Sequence, residues 1–335
     1  MKPTVGIVIG DPAGIGPEIV CKSMQHKVIY EKMNPLIIGD INVINKVLSE
    51  LNLDFMVRNV SDLNRIHYEY KTLNIYNVPI NYELKPGYLQ AGNGKASLDY
   101  INKSVELINF NFIDAISTAP INKEAIKMAG SKFTGVTELL AGLANVKNTS
   151  TIVKQGECYI FQLTTHLPLK DAINKINDEF LYNQIKKAYT DLKLLGLTKP
   201  KIGLSGLNPH AGEGGVLGRE EKDYFLPVVN RLRNEGIDIS DPIPADTIFI
   251  KGYKGEYNAI IAMYHDAANI AIKLMARQMD TIVITGGLPF VRTTVAHGTA
   301  YDIAYKGIAD YEQMKQAILG AANITIKKLE QTGEY

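Results

Sequence analysis

Six histidines occur in the chain, and three of them stand just past short apolar runs of strand character. CYIFQLTTH ends on His166, KIGLSGLNPH ends on His210, and NAIIAMYHD carries His265 with Asp266 beside it. In a parallel sheet all strands point the same way, so residues beyond their ends gather at one edge. That edge is where α/β proteins bind ligands. Three imidazoles, with Asp266 and with Asp246 of IPADTIF, form a reasonable donor set for a divalent ion. Neutral imidazole suits zinc and similar ions such as cobalt, while carboxylates and water admit magnesium or manganese. Each histidine taken alone would as readily cap a turn or fill a polar loop. Three in the same context favour the metal. The spacing is not a compact HExxH, so the signal is positional.

GDPAGIGPE, residues 10–18, follows the first apolar run. Asp11, Gly14 and Gly16 allow a tight turn with close backbone approach, and Pro17 suits the first turn of a helix. Exposed amides at that helix start would face a phosphate or carboxylate; a plain strand-to-helix turn is the other reading. The motif is not GxGxxG, so it does not by itself argue for a dinucleotide.

GGLPFVRTTVAHGTAYDIA, residues 286–304, contributes Arg292, whose planar fork matches phosphate or carboxylate. Lys273, on the helical stretch AANIAIKL, offers a second positive charge or a solvated helix face. His297, Gly298 and Thr299 line a cofactor loop or form a polar turn. TAPINKEA sets Thr118 and Lys123 at another strand end, where a desolvated lysine can move a proton and a surface helix start is the plainer role. GVTELLA offers Thr137 and Glu138 for ligand contact, capping or burial.

Positioning these residues requires alternating strands and helices. Strand patterns fall at Thr4–Ile9, Leu36–Ile38, Ala115–Ser117, Cys158–Leu163, Lys201–Ser205, Ala259–Met263 and Thr281–Ile284, with helical patterns at Ala96–Ile108, Asp178–Leu195, Glu220–Asn234 and Tyr311–Leu329. That order predicts an α/β fold of two α/β/α domains facing each other across a cleft. The expected division is residues 1–125 plus 300–335 for the first domain. Residues 126–299 form the second, carrying the metal ligands and dimer contacts. A chain of 335 residues, 46% of them hydrophobic, is long enough for both cores. With 36 basic side chains against 35 acidic ones, nucleic acid and membrane surfaces are not expected partners. Cys21 and Cys158 are too few for a disulfide framework and belong to no CxxC pair, which predicts a reduced, cytoplasmic setting. The opening MKPTVGIVIG is too short for a membrane span and reads as the first strand.

The motifs GDPAGIGPE, TAPINKEA, TTHLPL, LNPHAGEGG, IPADTIF, MYHD and GLPFVRT…HGTAYDIA, in this order over almost the whole chain, resemble the 4-hydroxythreonine-4-phosphate dehydrogenase family of pyridoxine biosynthesis. GDPAGIGPE and HGTAYDIA also resemble the cofactor-side loops of the isocitrate and isopropylmalate dehydrogenases. The resemblance implies an NAD- or NADP-dependent oxidoreductase with one divalent metal ion per active site. It implies a homodimer with each site at the subunit interface. His166, His210 and His265 would be the metal ligands, one of them from the partner chain, with Asp246 and Asp266 beside the metal and Lys123 in proton transfer. Thr137, Lys273 and Arg292 would hold a small phosphorylated acid. Gly14, Gly16, His297, Gly298, Thr299 and Asp302 would line the cofactor.

The chain departs from the family pattern at Val136, where the family has His before the Thr, and at Ala267-Ala268, where it has Gln-Gly. Val283 stands for a usual Asn and Ala296 for a usual Asp. Oxidation with decarboxylation of 4-hydroxy-L-threonine 4-phosphate at C3 is the expected reaction. A sister branch acting on 4-phospho-D-threonate or 4-phospho-D-erythronate is the alternative, because it exchanges the substrate amine for a hydroxyl. From other classes, a metal-dependent hydrolase would release phosphate without nicotinamide, a phosphate-acyl transferase would need no metal, and a non-catalytic binding protein would turn nothing over.

Overall fold

The computed structural model describes residues 2–276 and 278–332. Its strands are β1 (Thr4–Val8), β2 (Asn34–Gly39), β3 (Met56–Asn59), β4 (Thr72–Asn77), β5 (Ala115–Thr118), β6 (Ser150–Gln155), β7 (Cys158–Gln162), β8 (Ile202–Leu204), β9 (Ala259–Ala262), β10 (Thr281–Gly286) and β11 (Val291–Thr294). Helices alternate with them, as expected for an α/β chain. The chain divides into two compact units, with crossings between Thr149 and Ser150 and between Thr281 and Ile282. The crossings expected at 125/126 and 299/300 both lie inside the first unit. Pairing explains the difference: β11 joins β5, and the helix Val136–Leu143 packs on the helix Ala91–Asn109.

In the first unit the strand order is β3-β4-β2-β1-β5-β11-β10. All neighbours run parallel except β10, which lies antiparallel to β11. The central strands TVGIV, NPLIIG and AIST are almost wholly buried, as strands covered on both faces must be. The helix Ala91–Asn109 packs on β1 and β2, and the helix Glu312–Thr332 packs on β1, β5 and β11. Ile7, Leu36, Ile37 and Ile38 are fully enclosed, each contributing about 1.5–3 kcal/mol by leaving water. Because β1, β5 and β11 are parallel neighbours, GDPAG, TAPIN and VAHGT leave the sheet at the same edge.

The second unit has the order β6-β7-β9-β8. β6 and β7 form an antiparallel hairpin, while β7, β9 and β8 run parallel. Its core sets Ile248 and Phe249, from the helix Ala245–Tyr253, and Ala268 and Ile272, from the helix His265–Met275, against Val153, Cys158, Ile160 and Ile260. TTH, SGLNPH and MYHD follow the ends of β7, β8 and β9, so the topology carries all three to one edge of this sheet. Among the described residues no helix is long and apolar enough to cross a membrane.

Candidate active site

In the second unit the register of β7 and β9 aligns Gln162 with Ala262. The chains stay joined beyond the strands: Leu163 N donates to Ala262 O at 2.8 Å, and Thr164 Oγ1 donates to Met263 O at 2.9 Å. They then part around two imidazoles. His166 sits on left-handed backbone, φ +44°, and His265 opens a helix; their ring centroids are 5.7 Å apart. His265 Nδ1 lies 2.8 Å from Asp266 Oδ1. An imidazole whose Nδ1–H is held by a carboxylate presents Nε2 as the free electron pair, the arrangement typical of metal-bound histidines.

His210 does not join them. Within the single chain, among the described residues, no group of three or more His, Cys, Asp or Glu could hold a metal ion. The side chain of His210 is 68% exposed, with Nδ1 3.5 Å from Glu213 Oε2. The physical reason is the length of the excursion. His265 lies three residues past its strand and His166 four, whereas His210 lies six past Leu204 on a loop with its own internal bonding. Asp246 is exposed in the first turn of the helix Ala245–Tyr253, which packs against the His210 loop; its Oδ1 accepts from Thr247 Oγ1. Lys273 is exposed two turns along the helix that begins at His265.

In the first unit, one sheet face gathers polar groups that the sequence kept apart. The antiparallel register pairs Val283 with Thr294, which sets Thr285 opposite Arg292; the parallel register pairs Thr294 with Thr118. Arg292 is 4% exposed. Its Nη1 donates to Thr285 Oγ1 at 2.9 Å and its Nη2 to Thr118 Oγ1 at 2.6 Å, while Nε has no partner. Thr118 in turn donates to Thr294 Oγ1, and Thr294 to the Thr118 carbonyl. No carboxylate among the described residues pairs with Arg292, and burial alone pulls its pKa down to about 10. A buried cation answered only by hydroxyls is strongly unfavourable unless an anion joins it. Thr285 carried no sequence signal of its own; it became legible only through the cross-strand register with Arg292.

Lys123 is exposed at the first position of the helix Lys123–Met128, which Asn122 caps by accepting from Glu124 N and Ala125 N. Thr137 is half-buried and Glu138 exposed in the first turn of the helix Val136–Leu143. That helix starts on Gly135, which has no side chain to cap it, and Glu138 Oε2 folds back to 3.0 Å from where a Cβ on Gly135 would stand.

GDPAGIGPE differs from expectation in one respect. Residues 11–20 are all buried, so its helix start does not offer exposed amides. Ile15 N is spent on Thr299 O at 2.9 Å, a Cβ on Gly14 would sit 2.8 Å from Thr299, and one on Gly16 would overlap the Ile9 carbonyl. Gly14 thus permits close packing against HGTAYDIA, and Gly16 permits close packing against Ile9 and Ala119. Asp11 Oδ1 accepts from Ala13 N at 2.9 Å, Asp11 Oδ2 accepts from Tyr301 Oη at 2.6 Å, and Tyr305 Oη donates to Pro12 O. Burial raises the Asp11 carboxyl, against the opposing pull of the Tyr301 and backbone hydrogen bonds. Glu18 accepts from Gly307 N and Ala309 N, and Lys22 bridges Glu18 to the carbonyls of the same two residues. On this clamped base His297 is half-buried, Gly298 and Asp302 are exposed, and no heavy atom lies within 4 Å of a Cβ built on Gly298. His297 Nδ1 donates to Gly298 O at 3.0 Å, which leaves Nε2 as acceptor.

The family model described as pyridoxal phosphate biosynthetic protein PdxA matches residues 31–321. The chain belongs to the PdxA family. A relative from Halalkalibacterium halodurans, named "Putative D-threonate 4-phosphate dehydrogenase", is 39% identical over 323 residues, 96% of each chain. Two solved PdxA-type structures titled 4-hydroxythreonine-4-phosphate dehydrogenase are also similar. The one from Burkholderia phymatum has 36% identity and a TM-score of 0.86, and the one from Klebsiella pneumoniae has 33% and 0.89. Each comparison covers 97% of this chain and 98% of the other. These relatives are named as dehydrogenases, enzymes that oxidise a CH–OH group, and their α/β architecture is the one described above.

Proposed function

We propose that this chain is an NAD- or NADP-dependent, divalent-metal-dependent dehydrogenase that oxidises, with decarboxylation, the C3 hydroxyl of a four-carbon 3-hydroxy acid carrying a 4-phosphate. The observation that carries the reading is Arg292: buried and, among the described residues, without a carboxylate partner and with Nε unfilled. A phosphate dianion supplies what that guanidinium lacks, and Thr118 and Thr285 fix the fork that would receive it. Lys273 and Thr137 are further substrate contacts in this reading.

His166 and His265 suit a divalent ion by donor type and by mutual distance. Two imidazoles are an incomplete set, so His210 of a second copy of the chain is the third ligand and the functional unit is a homodimer. Asp266 orients His265, and Asp246 stands near the His210 loop as a further carboxylate. Gly14 lets Thr299 close on the GDPAG turn while Gly16 lets the following helix pack on Ile9; in this reading both glycines, with His297, Gly298, Thr299 and Asp302, line the cofactor. When bound, the metal ion supplies Lewis-acid stabilisation of charge on the substrate oxygens, and the nicotinamide accepts the two electrons. Lys123, exposed at its helix start, is the proton-transfer group. Binding energy at Arg292, remote from the reacting carbon, orients that carbon for reaction.

Within this class, 4-hydroxy-L-threonine 4-phosphate and D-threonate 4-phosphate differ in amine against hydroxyl at C2. Val136 and Val283 in place of polar groups, and the name shared by the 37–39% identical relatives, favour the hydroxy acid as the second reading. Inorganic phosphate tests the anion site directly. At about 100 times its Kd it should stabilise the parent by about 2.7 kcal/mol, read as a rise in Tm, and should leave Arg292→Met unmoved. Equal shifts in both proteins would refute the assignment.

A further inference from the structure

The loop that carries His210 is held in an uncommon backbone. His210, Ala211, Gly212, Glu213 and Gly214 have φ of +53°, +53°, +78°, +43° and +69°, five successive residues in the left-handed region. Glycine accepts this freely, but His210, Ala211 and Glu213 do not, and such backbone persists only where its surroundings over-determine it. The surroundings here centre on one side chain. Glu221 is 5% exposed. Its Oε1 accepts from Leu207 N at 2.8 Å and Asn208 N at 2.7 Å, and its Oε2 accepts from Asn208 Nδ2 at 2.9 Å. A Cβ on Gly212 would lie 2.7 Å from Oε2, so the loop folds directly onto the carboxylate; a Cβ on Gly218 would overlap the Asn208 side chain. Asn208 Nδ2 also reaches Glu220 Oε2 at 2.7 Å. Three N–H groups converge on a buried carboxylate that no described Lys, Arg or His pairs with. Bonds of this kind, with an ionised acceptor, are roughly twice as strong as neutral ones.

We propose that Glu221 is the positioning residue of the metal site: it clasps the 206–218 loop so that residues 210–214 keep the left-handed form that projects His210 outward for ligation. The inference rests on the reading of His210 as a metal ligand and adds to it the group that pre-organises that ligand. A metal ligand on an unclasped loop would have to be ordered at the moment of binding, at the expense of affinity.

The test uses the full-length protein and zinc as the probe. Zinc dissociation constants are measured by competition with a chromophoric chelator, and amide hydrogen exchange is followed in the metal-free protein, for the parent, E221A, E221Q and H210A. E221A should weaken zinc about 10- to 100-fold, the usual effect of removing a group that orients a ligand. In the same variant exchange should accelerate across 206–218 while β7 and β9 keep their protection. E221Q, which retains an oxygen for Leu207 N and Asn208 N, should recover most of the affinity and the protection. Parental zinc affinity in E221A alongside a loss in H210A would overturn the positioning role while leaving the ligand reading intact. Parental affinity in H210A would remove the ligand reading itself. Should E221A fail to fold, N208A, which opens the clasp from the loop side, takes its place: weaker zinc with faster exchange supports the proposal, and parental values overturn it.

Discussion

Arg292 and Asp11 are charged groups that the first unit encloses for different ends. Among the described residues Arg292 is met by Thr118 and Thr285 but by no carboxylate, and in our reading a phosphate completes it. Asp11 has its oxygens filled by Ala13 N and Tyr301 Oη, yet burial still raises its pKa above the ordinary 3.8. A carboxyl raised in the native state holds its proton more tightly there than in the unfolded chain. Its contribution is therefore fully present below 3.8 and is lost as pH rises through the raised native value. The stability of the parent relative to D11N should accordingly decline as pH climbs from near 3.8 and level off above the native pKa. Urea titrations at a series of pH values check this; a difference that grows with pH would reverse the assignment. Residue types announced much of this chemistry. Arg292 and the histidines were legible as chemical groups, and Asp11 as part of a turn. Thr285 and Glu221 were not, since each acquires its role from a partner that only strand register or loop closure brings near.

The elements were legible where hydrophobic runs were long or continuous, as in β1, β5, β9 and the helices Asp178–Leu194 and Glu312–Thr332. They were not legible in β3 (MVRN), β4 (TLNIYN), β6 (STIVKQ) and β11 (VRTT), where polar residues interrupt the pattern. β11 illustrates the cause: in our reading its Arg292 belongs to an anion site, and a strand that serves such a site lacks the residues that would have marked it as buried. The missed strand also moved the unit boundary, because β11 belongs beside β5. Helix contacts position Lys123. Gly94 lets the helix Ala91–Asn109 meet the helix Lys123–Met128, and a Cβ there would overlap the Ala125 carbonyl. Alanine raises helix propensity by about 1 kcal/mol, but overlap with backbone cannot be relieved by a rotamer. G94A should therefore destabilise the protein by about 1–3 kcal/mol net and, in our reading of Lys123 as the proton-transfer group, lower kcat. A denaturant titration and a rate assay measure both, and a stabilised or fully active G94A would contradict this packing.

At the scale of the molecule, the separation of His210 from the His166–His265 pair makes the single chain an incomplete enzyme in our reading. A two-fold dimer that shares its sites should show complementation. H166A and H210A, each inactive alone, should after subunit exchange regain about a quarter of parental activity, since half the dimers are hybrids with one intact site of two. No recovery would place all ligands within one copy. The central claim is tested most directly by one assay: the appearance of reduced nicotinamide when the protein, a divalent ion and NAD or NADP meet D-threonate 4-phosphate or 4-hydroxy-L-threonine 4-phosphate. We expect turnover of at least one of these acids, abolished by chelator, restored by added metal, and severely reduced when the substrate lacks its phosphate. Absence of reduction with both acids across zinc, magnesium, manganese and cobalt would contradict the account.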